Sequence, residues 1–401
     1  MPYGSVGGME RLALTFYNYY KAQGYDVKAV KIIKLQNDII NFGQDELFLS
    51  EKDLNAFSFA DRIKFYLKIP AMLRKIIQEQ QTTHSIAFGD MANVFSSLTF
   101  TNEFKIASIH ALKSVEFVNK NFLNRVFKLA FKTTYRNFDK VVCISKAIKA
   151  DLIENCGFGF PAKLEVIYNP HDIDELNRLA LLPLDDPSEA LIYANPVIVF
   201  VGRLSTQKSP WHLVNAFALL QKKLPNVHLL FIGDGDKSVE SYTHERIASL
   251  GIEKNVFFIG RKSNPYKYLK KARLLALSSY YEGTPNVIVE SIALGVPVVS
   301  SLCTGGILEL MSLEKQENNA GKIYTETGIV TPNFFKGSLG IPEEVTFTNE
   351  EQIMAEAFEE VLKSDQFYNN LKSGKEKILK KFDLSQVANE YLLPVSLLSG
   401  K

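Results

Sequence analysis

From end to end the chain alternates short apolar runs with stretches of helical periodicity, and few folds tolerate that pattern. Val197-Ile198-Val199-Phe200-Val201, Leu274-Leu275-Ala276-Leu277 and Val296-Pro297-Val298-Val299-Ser300 each read as a strand. Ser85-Ile86-Ala87-Phe88-Gly89 and Lys105-Ile106-Ala107-Ser108-Ile109-His110 read as further strands ending in loops. Residues 9–24 read as a helix stopped by Gly24, with Val27-Lys28-Ala29-Val30 as the strand after it. Strand and helix in steady succession predict parallel sheets with helices on both faces, the α/β class. Helix is expected again at Glu350–Leu362 and after Ser385, whereas residues 311–345 read as an irregular surface insertion.

A length of 401 residues suits two domains of about 200 each. Composition shifts at Leu182-Pro183-Leu184-Asp185-Asp186-Pro187-Ser188, which places a linker near 182–196 and domains at 1–185 and 186–375. No run of 18 apolar residues occurs, so no membrane-spanning helix is expected. Met1-Pro2-Tyr3-Gly4-Ser5-Val6 has neither the basic start nor the apolar core of a signal peptide. Cys143, Cys156 and Cys303 have no metal-ligand spacing and read as reduced thiols of a cytoplasmic protein.

The net charge of +2 says little, but residues 101–150 carry ten Lys/Arg against three Asp/Glu. Within that block, Lys120 to Lys132 mixes bases with Phe and Leu at helical spacing, as does Arg62 to Lys75. Such stretches suit an anionic membrane surface, with apolar side chains dipping in and bases among the headgroups. They equally suit a helix that packs its Phe face on its own domain. Nucleic acid is the poorer explanation, since no binding module accompanies the bases.

The chemistry concentrates at Glu282-Gly283-Thr284-Pro285-Asn286-Val287-Ile288-Val289-Glu290, a loop-to-helix junction carrying two carboxylates. Pro285 suits a first helical turn and Thr284 an N-cap, so the N–H groups of Asn286 and Val287 form a phosphate seat. On spacing alone the two glutamates would read as solvated groups. A second constellation changes that: the strand 197–201 runs into Gly202-Arg203-Leu204 and then Lys208. Glycine allows close backbone approach to a ligand, and an Arg fork with a Lys point charge suits a diphosphate.

Together these residues resemble glycosyltransferase family 4, the large retaining group with the GT-B fold. Gly7-Gly8-Met9-Glu10-Arg11 is similar to its glycine-rich loop. Val141-Val142-Cys143-Ile144-Ser145, Val166-Ile167-Tyr168-Asn169-Pro170 and Phe231-Ile232-Gly233-Asp234-Gly235 resemble further landmarks, in order. So do Phe258-Ile259-Gly260, Leu277-Ser278-Ser279 and Thr304-Gly305-Gly306 with Glu309.

The resemblance implies two doubly wound Rossmann-like domains facing across a cleft, with residues 376–401 forming a helix that crosses back to the first. It implies a nucleotide-sugar donor, UDP being commonest, held mainly by the second domain, and a glycan or lipid-linked acceptor held by the first. Glu290 would then bind the ribose, Glu282 the sugar hydroxyls, and Arg203 and Lys208 the diphosphate. Gly202, Gly233, Gly260, Arg261, Gly283, Thr284, Pro285, Asn286 and Val287 would line the donor site, with Gly7 and Gly8. His110 would lie near the transferred sugar, although a histidine after a strand is as readily structural. Cationic side chains and a helix N-terminus would make a metal or other cofactor unnecessary, and the enzyme would be cytoplasmic, peripheral to the membrane.

One departure stands out. Family members usually open with a buried strand before the glycine loop, and Met1 stands too close to Gly7 for one. Either the true start lies upstream or the first central strand is missing, which would leave two edges and much apolar surface exposed. A nucleotide-sugar epimerase or a phosphorylase of the same fold, or a non-catalytic membrane-surface partner of other transferases, are the competing functions.

Overall fold

The computed structural model describes residues 1, 8–35, 38, 40–53, 56–118, 121–314, 321–337, 339–342 and 346–394. They form two compact units, Met1–Pro170 with Phe382–Lys401, and His171–Lys381. The division differs from the expected boundary at 185/186 because the segment after Pro170 packs wholly on the second unit. The helix Ile173–Ala180 lies on the helices Tyr266–Leu269 and Asn286–Ala293. Asp185 then pairs with Lys267 at 2.5 Å and Glu189 with Lys262 at 2.6 Å. The stretch expected to be a linker is thus bolted down, and residues 187–194 coil into a 3₁₀ helix.

In the N-terminal unit the strands are β1 (Ala29–Lys31), β2 (Glu46–Phe48), β3 (His84–Phe88), β4 (Phe104–Ile109), β5 (Lys140–Cys143) and β6 (Leu164–Val166). They make two parallel sheets, β1-β2 and β3-β4-β5-β6. Among the described residues no strand lies between β1 and β3. Met1 bonds alongside β1: its amine donates to the Val30 carbonyl at 3.0 Å, and the Ile32 N–H donates to its carbonyl at 3.2 Å. The helix Gly8–Ala22 ends where Gly24 takes a left-handed φ of 85°, as glycine does after a helix. Gly7 lies outside the described residues. The final helix, Leu384–Leu392, packs into this unit, where Ala388 accepts from the Tyr20 hydroxyl at 2.7 Å and Tyr391 meets Ser108 at 3.0 Å.

The C-terminal unit has one continuous sheet of β7 (Val197–Val201), β8 (His228–Ile232), β9 (Val256–Phe258), β10 (Leu274–Leu277), β11 (Val298–Ser301), β12 (Ile323–Thr325) and β13 (Gly328–Thr331). Its order is β12-β13-β11-β10-β7-β8-β9, parallel except for β12. Residues expected to be an irregular insertion therefore supply two strands: Ile329 and Val330 are fully buried against β11, but the strands are too short for a sequence period to show. The chain leaves β7 toward β8 and β9 on one side and returns through β10 to β11 on the other. The strand order reverses between β7 and β10, and ligands of doubly wound sheets bind beyond the carboxyl ends of such a pair.

Candidate active site

The loops after β7 and β10 meet at that reversal. Gly202 to Ser209 follows β7 and Ser278 to Pro285 follows β10, and the two are latched together. The Tyr280 N–H donates to the Gln207 carbonyl at 2.8 Å, and the Ser278 hydroxyl lies 3.0 Å from the Lys208 carbonyl and 3.1 Å from that of Ser209. Ser209 holds a left-handed φ of 39°, a strained conformation for a residue with a side chain, and returns a hydrogen bond to the Ser278 carbonyl. Strain fixed by a reciprocal latch means that Lys208 is held in place rather than trailing in solvent.

Lys208 forms an ion pair with Glu282, whose side chain is only 9% exposed. The same carboxylate accepts from the Ser279 hydroxyl at 2.7 Å and from the Gln207 amide at 3.4 Å. Gln207 is itself pinned by donating to the Tyr281 carbonyl at 3.0 Å. A nearly buried charge is tolerable only with such partners. Arg203, on the same loop as Lys208, is exposed and makes no ion pair among the described residues. The cradle is therefore one buried carboxylate, one neutralised cation and one free cation.

The helix after this loop runs Asn286–Ala293, and its cap is Pro285, not Thr284 as expected from sequence. Extended backbone at Pro285 moves the start of the helix one residue on. The Thr284 hydroxyl is left buried without a hydrogen-bond partner, an unusual state for a polar atom. The first turn of the helix, at Asn286 and Val287, carries the positive end of the dipole. Gly283 lies beneath the helix Gly305–Met311, since a side chain at Gly306 would stand 2.6 Å from the Gly283 carbonyl. Further along, Glu290 accepts from the Tyr266 hydroxyl at 3.3 Å.

The remaining expected residues divide. A Cβ at Gly233 would stand 2.0 Å from the Gly202 carbonyl, and one at Gly235 would stand 1.9 Å from that of Leu204. Close passage of the two loops thus accounts for Gly233 and Gly235 without any ligand, whereas a Cβ at Gly202 would make only ordinary contacts with Phe200 and Lys208. Gly260 has a left-handed φ of 64° with open space beside it, and its carbonyl receives the Gly233 N–H at 2.9 Å. Arg261 is exposed next to it. Asp234-Gly235-Asp236, whose spacing could suit a divalent ion, forms the turn into the helix Lys237–Leu250. Among the described residues no group of three His, Cys, Asp or Glu is placed to hold a metal.

His110 follows β4 in the N-terminal unit, its ring 6.1 Å from that of Phe88, and its Nε2 is buried without a partner. Burial, with the nearby charge of Lys113, pushes its pKa down to about 3, so it is neutral at any ordinary pH. Gly8 opens the first helix of that unit. Sequence reasoning missed Gln207, Ser279 and Tyr266, the groups that hold Glu282 and Glu290. Only the place of Gln207 and Ser279 within the two motifs could have drawn attention to them.

Comparison with known proteins decides the family. A family model described as Glycosyltransferase Family 4 matches residues 6–175, and one described as Glycosyl transferases group 1 matches residues 185–326. The chain is a family 4-type glycosyltransferase. An uncharacterized glycosyltransferase of Methanocaldococcus jannaschii is 27% identical to this transferase over 360 residues, 86% of each chain. A Campylobacter jejuni protein named as an N-acetylgalactosamine-N,N'-diacetylbacillosaminyl-diphospho-undecaprenol 4-alpha-N-acetylgalactosaminyltransferase is 27% identical, over 76% of this chain and 80% of its own. Anabaena HepE, solved with UDP and glucose, superposes on the transferase with a TM-score of 0.71 at 19% identity, covering 99% and 98% of the two chains. WaaG, a glycosyltransferase of lipopolysaccharide biosynthesis, does so at 0.65 and 15% identity, over 100% and 99%. These solved structures establish the GT-B fold.

Proposed function

We propose that this glycosyltransferase moves a hexose or N-acetylhexosamine from a UDP-sugar to a glycan or lipid-linked glycan, with retention of configuration and without a divalent metal. The reading is carried by the pairing of Lys208 with Glu282 at the strand reversal, with Arg203 unpaired on the same loop. An incoming diphosphate draws Lys208 away from Glu282 and takes Arg203 as its second cation. Glu282 is thereby freed to accept hydrogen bonds from sugar hydroxyls, while Ser279 and Gln207 keep it in place. The first-turn amides at Asn286 and Val287 bind phosphate oxygens, and Glu290 binds the ribose.

As the bond from sugar to phosphate breaks, charge grows on the leaving oxygen, and each fixed donor facing it lowers the barrier by a few kcal/mol, on the order of 3. The acceptor hydroxyl attacks from the face the phosphate leaves, and the departing phosphate takes its proton. His110, neutral, contributes a hydrogen bond and no charge. The test is a thermal-shift panel of UDP, GDP and ADP, each with and without EDTA. A nucleotide at 100 times its Kd stabilises by about 2.7 kcal/mol. Selective stabilisation by UDP that survives EDTA supports the reading, and a response to UDP only with a divalent ion would overturn its metal-free part.

A second part of the reading concerns the membrane. Among the described residues no helix is long and apolar enough to cross one. The helix Phe122–Lys132 nevertheless exposes Phe122 at 78% and Leu129 at 62% beside Arg125, Lys128 and Lys132. The helix Phe59–Glu79 exposes Phe59 at 80% and Leu67 at 77% beside Lys64 and Lys68. Apolar side chains flanked by bases favour a peripheral position on an anionic, cytoplasmic membrane face, where a lipid-linked acceptor would be met. Sedimentation with anionic but not zwitterionic vesicles, lost in Leu129→Asp, is the expected result. Nucleic acid is no part of this reading.

A further inference from the structure

Behind the site loops the C-terminal unit buries a chain of polar side chains that touches neither phosphate nor sugar in the donor reading. Glu351, in the helix Asn349–Lys363, is 1% exposed, and His212 and Asn215 are buried in the helix Pro210–Gln221. One Glu351 oxygen lies 2.6 Å from the His212 Nδ1 and accepts from the Asn215 amide at 2.8 Å. The other accepts from the Thr348 N–H at 2.8 Å. Arg246 donates to the Asn215 side-chain oxygen at 2.6 Å, which fixes the way that amide faces. The Phe334 ring stacks on the imidazole at 4.5 Å, with 8° between the planes. The His212 Nε2 then meets the Tyr280 hydroxyl at 2.9 Å. A carboxylate only accepts, so Nδ1 carries a hydrogen, and the neutral tautomer this selects offers Nε2 to the Tyr280 O–H. Burial raises the pKa of Tyr280, so its hydroxyl keeps that hydrogen.

Tyr280 belongs to the site by its backbone. Its N–H donates to the Gln207 carbonyl at 2.8 Å, and its carbonyl accepts from the Asn333 amide at 3.1 Å. Gln207 reaches Glu282 through its own side chain at 3.4 Å. Hydrogen bonds thus run without a break from the helix Asn349–Lys363 to the Glu282 carboxylate. Apolar side chains of the same volume would fill this space without the cost of burying polar groups, so stability is a weak reason for such a chain. What a fully paired chain imposes is a single arrangement.

We propose that Glu351, His212 and Tyr280 form a positioning relay that holds the loop after β10, and with it Glu282, at the setting the transferred sugar requires. The proposal rests on the donor reading only in taking Glu282 as the carboxylate that meets the sugar. Two variants of the full chain cut the relay at one link. Tyr280→Phe deletes the hydroxyl and keeps the ring, whereas His212→Asn keeps a donor for Glu351 and is too short to reach Tyr280. Without ligand, amide exchange over residues 278–285 should quicken about tenfold in either variant while that of β8 is unchanged. Equal quickening of both segments, or of neither, would overturn the relay. The double variant should match either single one, and additive effects would overturn it too. UDP should shift the melting temperature of variants and unaltered chain alike. Release of UDP from UDP-glucose or UDP-N-acetylglucosamine, whichever is turned over, should lose about tenfold or more in kcat. Unchanged kcat would overturn the relay. No shift with UDP in the unaltered chain would instead fault the donor reading, and the exchange measurement would still decide whether the relay holds the loop.

Discussion

The two units are built from the same alternation of strand and helix, yet one closes its sheet and the other does not. In the C-terminal unit β7 has neighbours on both sides, and the strands β7, β8, β10 and β11 are buried almost throughout. In the N-terminal unit the described strands fall into two separate sheets, with a cavity lined by residues of β1 and β3. The strands also differ in content. Buried lysines lie in β1, β4 and β5, at Lys31, Lys105 and Lys140, each needing polar partners such as Glu46 at 2.9 Å for Lys31 and Glu165 at 3.0 Å for Lys140. The four central strands of the C-terminal sheet hold no lysine. The candidate site sits on the unbroken sheet.

The largest effect that could break this comparison is a core truncation. Phe217→Ala, in the packed core of the C-terminal unit, should cost about 3–5 kcal/mol. Ile86→Ala borders an existing cavity and should cost about 2 kcal/mol, the low end for such a truncation, because little new void is made. The two units can be followed separately: Trp211 is the only tryptophan and is buried in the C-terminal unit. Denaturation watched by circular dichroism should show an early transition that tryptophan fluorescence does not. Coincident transitions would mean that the split sheet is no weaker than the closed one.

Next in size is catalysis on the C-terminal unit. Lys208→Ala should lower kcat about 10²–10³-fold with little change in KM, the loss expected of a donor acting on transition-state charge. It leaves Glu282 nearly buried without its cation, so Lys208→Ala with Glu282→Gln should recover stability but not turnover. Turnover near the starting level in either variant would remove Lys208 from the leaving-group clamp. Glu290→Ala should instead weaken nucleotide binding, read as a smaller thermal shift with UDP.

Much of this comparison was legible in the sequence, unevenly. Strands 197–201 and 274–277 were visible because burial on both faces leaves an unbroken apolar run. Arg203, Lys208 and Glu282 were visible through their spacing after those runs. The ion pair between Lys208 and Glu282 was not, because it depends on β7 and β10 being neighbours, a pairing between residues more than 70 positions apart. The β12–β13 hairpin was hidden by strands of three and four residues, too short to show a period. Gly233 shows the limit from the other side: a glycine needed for backbone passage and a glycine needed for a ligand look alike until the neighbouring carbonyl is seen.

A smaller effect is the response to pH. Burial lowers the pKa of the Met1 amine to about 5 in the folded chain against an ordinary 8.0, with Glu10 opposing the shift and Lys31 reinforcing it. The unfolded chain thus binds more protons between these values, so stability rises with pH across the window and is lost on acidification. His110 acts in the same direction, but only below its ordinary 6.5. Between about pH 6.5 and 8 the amine acts without it, at no more than about 1.4 kcal/mol per pH unit. N-terminal acetylation should flatten the early, N-terminal transition over that range and leave tryptophan-detected unfolding unchanged. An acetylated chain with the original slope would show that the amine is solvated.

The finest test applies one substitution to both units. Ala216 lies fully buried in the C-terminal core, in the helix Pro210–Gln221, and Ala13 lies in the helix Gly8–Ala22 facing the cavity. Leucine is about as good a helix former as alanine, so propensity barely enters at either site. At Ala216 the added side chain must displace packed neighbours, at a cost of about 1–3 kcal/mol. At Ala13 it enters empty apolar space and should be neutral or stabilise by up to about 1 kcal/mol, since buried methylenes are favourable where they create no clash. Opposite signs for Ala216→Leu and Ala13→Leu, each read in its own transition, would establish that the cavity is apolar, open and undefended. A destabilising Ala13→Leu would mean that the cavity closes in solution, and the contrast between a closed and a split sheet would fall with it.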